Sequence, residues 1–340
     1  MKKMNYQMQY PSGSRPAILA ERLRSYDDLV DVQNPDLTII TPSLNSVKYL
    51  EDTIRSVANQ SFRNFEHIII DGGSVDGTLD ILKKYPHVRW ISEKDNNTIE
   101  AEWKGVKRAR GRYLMTCCVS DGYANTDWFK QCVGCLDQDI GISAVSGLAQ
   151  VLLADGTAGG INYVDKNFDR AVLGQDSFSY CLKVNAGLNE TNLCVRKNIF
   201  FKCYPPETAD FGYMLDWTMF IYNFNRLGYL ARFLPMVASF ARRHEDALGV
   251  KLARTGLLRK THKNYLNSMR SLRWQVILGR QKVLFRDGLD QPMAMELDRK
   301  KFIKEYALYK FSYTFLRNFA ANNFLRLRRL ARKCLNSLTH

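Results

Sequence analysis

Ile68-Ile69-Ile70-Asp71-Gly72-Gly73-Ser74-Val75-Asp76-Gly77-Thr78 is the stretch that decides the fold. An apolar run ends in an aspartate, two glycines and a serine, and Asp-Gly-Thr then opens a helical pattern. A buried strand that stops this way brings a carboxylate to the rim of a sheet. The glycines let the backbone turn sharply and leave room for a ligand. A carboxylate at that rim can accept the imide N–H of a uracil, thymine or guanine base. A plain strand-to-helix turn with Ser74 or Asp76 as N-cap explains the same residues without a ligand.

The same rhythm repeats on both sides. Leu37-Thr38-Ile39-Ile40 reads as a buried strand entering Thr41-Pro42-Ser43-Leu44-Asn45, and a helix from Val47 follows, with Leu50, Ile54, Val57 and Ala58 on one face. Phe65 to Ile70 is the next strand and Thr78 to Tyr85 a short helix. Val88 to Ile91 is a third strand. Ile99 to Arg110 is a helix stopped by Gly111, and Tyr113 to Val119 a fourth strand ending at Ser120-Asp121-Gly122. Strands alternating with helices at this spacing predict a parallel, doubly wound α/β sheet. Ligands on such sheets sit beyond the carboxyl ends of the strands, where TPSLN, DGGS, SEKDN and SDG all fall. Past Asp121 the pattern predicts a hairpin of Ile142–Leu153 with Ile161–Val164 around Ala154-Asp155-Gly156, a short strand at Thr191–Val195, a helix from Tyr213 to Leu227, and a strand from Tyr229 to Phe240. Residues 1–35 read as a polar, proline-bearing loose arm with a short helix at Ala17 to Tyr26.

Composition narrows the class. A chain of 340 residues can bury one large core or two smaller ones. No apolar run approaches the roughly 18–20 residues of a membrane span, and the first residues lack the apolar core of a signal peptide. The expectation from these features is a chain that stays in the cytosol unless something carries it. Its eight cysteines suit a reducing compartment. Cys132 and Cys135 form a lone CxxC on one helix face, too little for a zinc or redox site. The net charge of +15 is uneven: residues 251–340 hold 21 Lys+Arg against 5 Asp+Glu, a net +16, whereas the first 250 residues stand at −1. A near-neutral domain with a basic attachment device is the natural reading, and no recognition motif points to nucleic acid.

The order of these motifs resembles glycosyltransferase family 2. The first-strand loop Thr41-Pro42-Ser43-Leu44-Asn45, the complete DGGSxDGT loop from Asp71 to Thr78, the segment Ser92-Glu93-Lys94-Asp95-Asn96-Asn97-Thr98-Ile99-Glu100-Ala101-Glu102-Trp103-Lys104-Gly105, and the acidic end of the fourth strand carry the resemblance, over about residues 36 to 245. It implies a GT-A, Rossmann-like, mostly parallel central sheet flanked by helices in residues 36–250, after an arm in 1–35 and before a basic helical extension in 251–340. It implies transfer of a sugar from a nucleotide-diphosphate donor to a glycan or lipid-linked glycan acceptor, with inversion, in cell-surface polysaccharide assembly.

The implied site follows residue by residue. Asp71 reads the base N–H, and Thr41, Pro42 and Ser43 line base and ribose. Asn45, Gly73, Asp95, Glu100 and Ser120 border the donor, and Lys94 holds the diphosphate as a point charge. Asp121 holds Mg²⁺ or Mn²⁺ between the phosphates, where hard oxygen ligands suit either ion, and His244 is a further candidate ligand. The general base is Asp216, in Met214-Leu215-Asp216-Trp217, with Glu207 and Asp210 as competitors. Three departures stand out: Gly122 replaces the family's second carboxylate, Glu100 its aspartate, and Trp103 its asparagine. They motivate two alternatives, a metal-independent transferase and a non-catalytic nucleotide-sugar-binding or scaffold protein. The last turns, from Phe324 to Lys333, read as a basic amphipathic helix suited to an anionic membrane surface. That would place the protein in the cytoplasm, peripheral on the inner face of the plasma membrane.

Overall fold

The computed structural model describes residues 8–20, 24–30, 32–161, 177–184, 190–204, 215–247, 250–251, 254–308 and 310. The first half is built as the alternation predicts. Strands β1 (Leu37–Ser43), β2 (Phe65–Asp71), β3 (Val88–Ser92) and β4 (Tyr113–Thr116) lie parallel in the order β3-β2-β1-β4. Helices α1 (Leu50–Ala58), α2 (Thr78–Lys83) and α3 (Thr98–Arg108) make the crossovers. β1 and β2 are buried along their whole length, as central parallel strands must be. Register puts Ser43 opposite Asp71, and Asp71 opposite Ser92, so three loops leave the sheet from one row.

The second half departs from a parallel sheet. Strands β5 (Gly122–Tyr123), β6 (Ala144–Leu153), β7 (Ala158–Ile161), β8 (Cys194–Arg196) and β9 (Ala231–Arg243) extend the order to β4-β8-β6-β9-β5, with β7 on β6. Here only β6 and β9 pair in parallel; β4–β8, β6–β8, β5–β9 and β6–β7 are antiparallel. The predicted hairpin is present as β6–β7, with residues 162–164 outside the described set. Around these strands lie α4 (Trp128–Gln138), α5 (Ser177–Val184), α6 (Lys197–Cys203) and α7 (Leu215–Arg226). Cys132 and Cys135 sit on α4 as free thiols.

The structure adds detail at both chain ends. The helix expected over Ala17–Tyr26 is instead a 3-10 turn at Ala17–Leu19, with a second at Asp27–Leu29. Nor are the described residues 13–19 loose. Ile18 and Leu19 are fully buried, the Asn59 amide donates to the Ile18 carbonyl at 2.8 Å, and residues 13 and 14 pair with Ala158. Burial of two apolar side chains outweighs the polar look of the segment. At the other end, α8 (Leu257–Ile277) is helical as expected. It packs on the domain, where Tyr265, Met269, Leu272 and Val276 share one core with α5, α7 and β9. A hairpin, β10 (Leu284–Arg286) with β11 (Pro292–Glu296), follows where more helix was expected. The expected helix at 324–333 lies outside the described residues. No helix among the described residues is long and apolar enough to cross a membrane.

Candidate functional site

The rim of the parallel half is a set of interlocked loops. Asp71 is completely buried, and its carboxylate accepts from the backbone N–H of Gly73 (3.1 Å) and Ser74 (2.9 Å), from the Ser92 hydroxyl (2.7 Å) and from the Ser74 hydroxyl. Three of these donors go to Oδ2 and the Ser74 hydroxyl goes to Oδ1, so the Asp71 carboxylate shapes the loop around it. The neighbouring loop is tied on by Asn45, in the left-handed region at φ 48°. Its N–H donates to the Ser74 hydroxyl (2.7 Å) and its side-chain oxygen accepts from Val75 N–H (3.0 Å). Asp76 adds a clasp, accepting from Val47 N–H (3.1 Å) and Thr78 N–H (3.1 Å). Thr41 faces inward, 2.9 Å from His67 Nε2, and burial pushes the His67 imidazole down to about 3, so it is neutral. The Ser43 hydroxyl is buried without a partner, and Pro42 lies within β1.

Asp95 lies beside this loop. It is half-buried against Gly72, where an added Cβ would come within 2.6 Å of Asp95 Oδ2. Gly72 therefore makes the seat for this side chain, and Gly73, at φ 89°, makes the turn. Burial raises the Asp95 pKa, with Lys104 opposing. Lys94 is exposed beside it. Glu100 is engaged within its own helix start. Its carboxylate accepts from Asn96 N–H (3.0 Å) and Asn96 Nδ2 (2.8 Å) while Asn97 accepts from Glu100 N–H (3.0 Å), so Glu100 belongs to the cap of α3.

Asp121 is held from several directions. Oδ1 accepts from Arg242 N–H on β9 (2.9 Å), Oδ2 from the Thr191 hydroxyl (3.1 Å), and its carbonyl from the Thr53 hydroxyl (2.7 Å). Burial raises its pKa to about 6, and the Arg242 and Thr191 hydrogen bonds offset only part of that. Ser120, at φ 86°, donates its N–H to Thr53 Oγ1 (3.2 Å), and its carbonyl accepts from Arg242 Nε (3.0 Å). The buried Arg242 guanidinium pairs with Asp52 and lies 4.7 Å over the Tyr49 ring. Gly122 is tightly packed: a Cβ there would meet Ser56 Oγ at 2.5 Å and Ser56 Cβ at 3.0 Å. A side chain at this position, including the second carboxylate of the family pattern, would require Ser56 to move.

His244 follows the end of β9, its ring 4.5 Å from that of Tyr49. Both ring nitrogens are buried without partners, and burial lowers the pKa, so the neutral imidazole keeps a lone pair for a ligand. Each Asp121 oxygen likewise retains a lone pair beyond its single protein donor. Oxygen plus imidazole is a donor set that Mg²⁺ or Mn²⁺ can accept when diphosphate oxygens complete it. A three-ligand cluster also forms among the described residues: Glu102, Cys118 and Glu190 bring ligand atoms within 4.8 Å of one another. Sequence reasoning missed Glu190, although it directly precedes the Thr191 that fixes Asp121. It also missed Arg242 near the end of β9 and Asp52 and Thr53 on α1, which no local pattern marks. Asp216 is the second residue of α7; its side chain, like Glu207 and Asp210, lies outside the described residues.

Loops converging on the carboxyl ends of parallel strands, laced by buried carboxylates, give an α/β domain of GT-A type. Residues 38–150 match the family model described as glycosyl transferase family 2. It is 38% identical over 103 residues to TuaG of Bacillus subtilis, a glycosyltransferase assigned to teichuronic acid biosynthesis, covering 28% of this chain and 40% of that one. It is 31% identical over 115 residues to the chondroitin synthase of Escherichia coli, covering 33% and 17%. The chain thus spans well under half the length of these relatives. S. aureus TarS residues 1–349, solved with UDP-GlcNAc, shares the fold at a TM-score of 0.51 and 15% identity, covering 82% of this chain and 73% of that one.

Proposed function

We propose that the protein transfers a sugar from a nucleoside-diphosphate donor to a glycan or lipid-linked glycan acceptor. The observation that carries this reading is the rim itself: Asp71 locks the glycine loop, and the loop seats the half-buried Asp95 carboxylate. In this arrangement Asp95 accepts the base imide N–H, Ser43 lines the ribose, and Lys94 faces the diphosphate. The UDP-GlcNAc complex of TarS and the polysaccharide roles of the relatives support a nucleotide-sugar donor and a cell-surface glycan product.

The reaction is a single displacement with inversion. The acceptor oxygen bonds to the anomeric carbon as the bond to the diphosphate oxygen breaks, and the diphosphate leaves with the electron pair. A carboxylate takes the acceptor proton. Asp216 is the proposed base, and Glu190, one residue from the Thr191 that holds Asp121, is its competitor. A divalent cation held by Asp121, His244 and the diphosphate would stabilise the leaving group. The crowding of Gly122 by Ser56 favours a second reading, a transferase that needs no metal. The acceptor would be met at the cytoplasmic face of a membrane.

Calorimetric titration with UDP, GDP and dTDP, each with and without Mn²⁺, tests the donor. Binding of one nucleotide is expected, and it should be lost in Asp95→Ala. No binding of any nucleotide would sink the transferase reading, and binding indifferent to Mn²⁺ would select the metal-free one. Asp216→Asn should retain donor binding and lose transfer; near-normal turnover would move the base to Glu190.

A further inference from the structure

From Ala247 to Arg286 the chain carries ten lysines and arginines and not one Asp or Glu. Helix α8 occupies the middle of this stretch and sorts it by face. Tyr265, Met269, Leu272 and Val276 are buried in the core. Arg273 also points inward and donates to the Leu182 carbonyl of α5 at 2.7 Å. The opposite face is a stripe at helical spacing: Lys260, Lys263, Asn267, Arg270, Trp274 and Leu278. All six are exposed, with Trp274 at 49% and Leu278 at 53%. No described carboxylate pairs with any of the three cations. At about 1.5 Å per residue the stripe runs roughly 27 Å along the surface.

Two features decide what such a face fits. Three exposed cations in line, Lys260, Lys263 and Arg270, call for an extended anionic partner. A tryptophan and a leucine left in water on the same line call for an apolar layer next to those charges. An anionic lipid bilayer offers both at the depths required, headgroup phosphates for the lysines and the acyl boundary for Trp274 and Leu278. A soluble polyanion offers only the first.

We propose that the outer face of α8 docks flat on an anionic membrane surface, with Lys260, Lys263 and Arg270 on the headgroups and Trp274 and Leu278 inserted shallowly. This orientation is independent of the donor chemistry, so its failure would leave the transferase reading intact. The inner face of α8 packs on α5 and α7, so the catalytic domain would be held rigidly against the bilayer.

The test is sedimentation of the full chain with vesicles of phosphatidylcholine alone and of phosphatidylcholine with phosphatidylglycerol. Binding is expected only with the anionic lipid and should weaken as salt is raised. The triple variant Lys260→Gln/Lys263→Gln/Arg270→Gln should lose about 100-fold in vesicle affinity. The Trp274→Ala/Leu278→Ala variant should lose about tenfold or more, while both variants keep wild-type circular dichroism. Trp274→Phe should abolish a blue shift in tryptophan emission seen on adding anionic vesicles. No binding of the wild type to anionic vesicles overturns the proposal, and so does wild-type affinity in the triple variant. Loss in the triple variant with none in the Trp274/Leu278 variant, together with equal binding to heparin, would replace the bilayer with a soluble polyanion.

Discussion

Replacing Asp71 by alanine tests whether this carboxylate builds the loop or touches the base. The substitution removes the acceptor for four donors: Gly73 N–H, Ser74 N–H, the Ser74 hydroxyl and the Ser92 hydroxyl. Ser92 is exposed and can turn to water, so its loss costs little. Ser74 is buried, and its N–H and hydroxyl lose a charged acceptor in a place water reaches poorly. Hydrogen bonds to charged groups contribute about 1.5–3 kcal/mol each. Two such losses, softened by relaxation of a glycine-rich loop, give about 3–4 kcal/mol. That is a large share of the roughly 5–15 kcal/mol that holds an ordinary domain together. The loop would also release its clasp on Asn45 and the seat of Asp95, so nucleotide affinity should fall with stability. Urea unfolding gives the first quantity and calorimetric titration with the bound nucleotide the second. Asp71→Asn, which keeps an acceptor oxygen but points an amide at N–H donors, should fall between wild type and alanine. Lost affinity with stability unchanged within about 1 kcal/mol would refute the argument and return Asp71 to the base.

Other outcomes follow from the same geometry. Gly122→Asp, which writes the family's second carboxylate back in, should destabilise by about 2–4 kcal/mol through overlap with Ser56 and burial of a charge. Adding Ser56→Gly should recover part of that loss, and a fully stable single variant with stronger Mn²⁺ dependence would show that the packing argument is wrong. His67 sets an acid limit. Its folded pKa of about 3 lies below the unfolded value of 6.5, so only the unfolded chain takes up this proton between those values. The stability it confers is complete above the unfolded pKa and is lost as pH falls toward the folded one, amounting to about 4 kcal/mol by about pH 3.5. Urea unfolding across that range should show a shallower decline for His67→Gln than for wild type; parallel curves would mean that His67 titrates normally.

Local chemistry made the first half legible. An apolar run followed by Asp-Gly-Gly-Ser can only be a buried strand meeting a tight turn, and its repetition at Thr41, Ser92 and Ser120 places four loops on one rim. The same chemistry could not say which carboxylate of the rim holds the loop. Asp71 and Asp95 look alike as letters, and they part only because Ser74 and Ser92 fold back onto Asp71 while Gly72 opens a seat for Asp95. Gly122 reads as a missing ligand in one dimension and as the contact point of α1 in three. Asp121 owes its environment to Thr191 and Arg242, 70 and 121 residues away. Periodicity found helix α8 but not its place in the core, since a hydrophobic stripe states that it must be covered and never by what. The sequence by itself determined the strand-loop-helix units and the type of residue at each loop. Tertiary structure decided which of those residues are consumed in holding the loops, because hydrogen bonds and packing between distant segments are set by how the chain closes on itself.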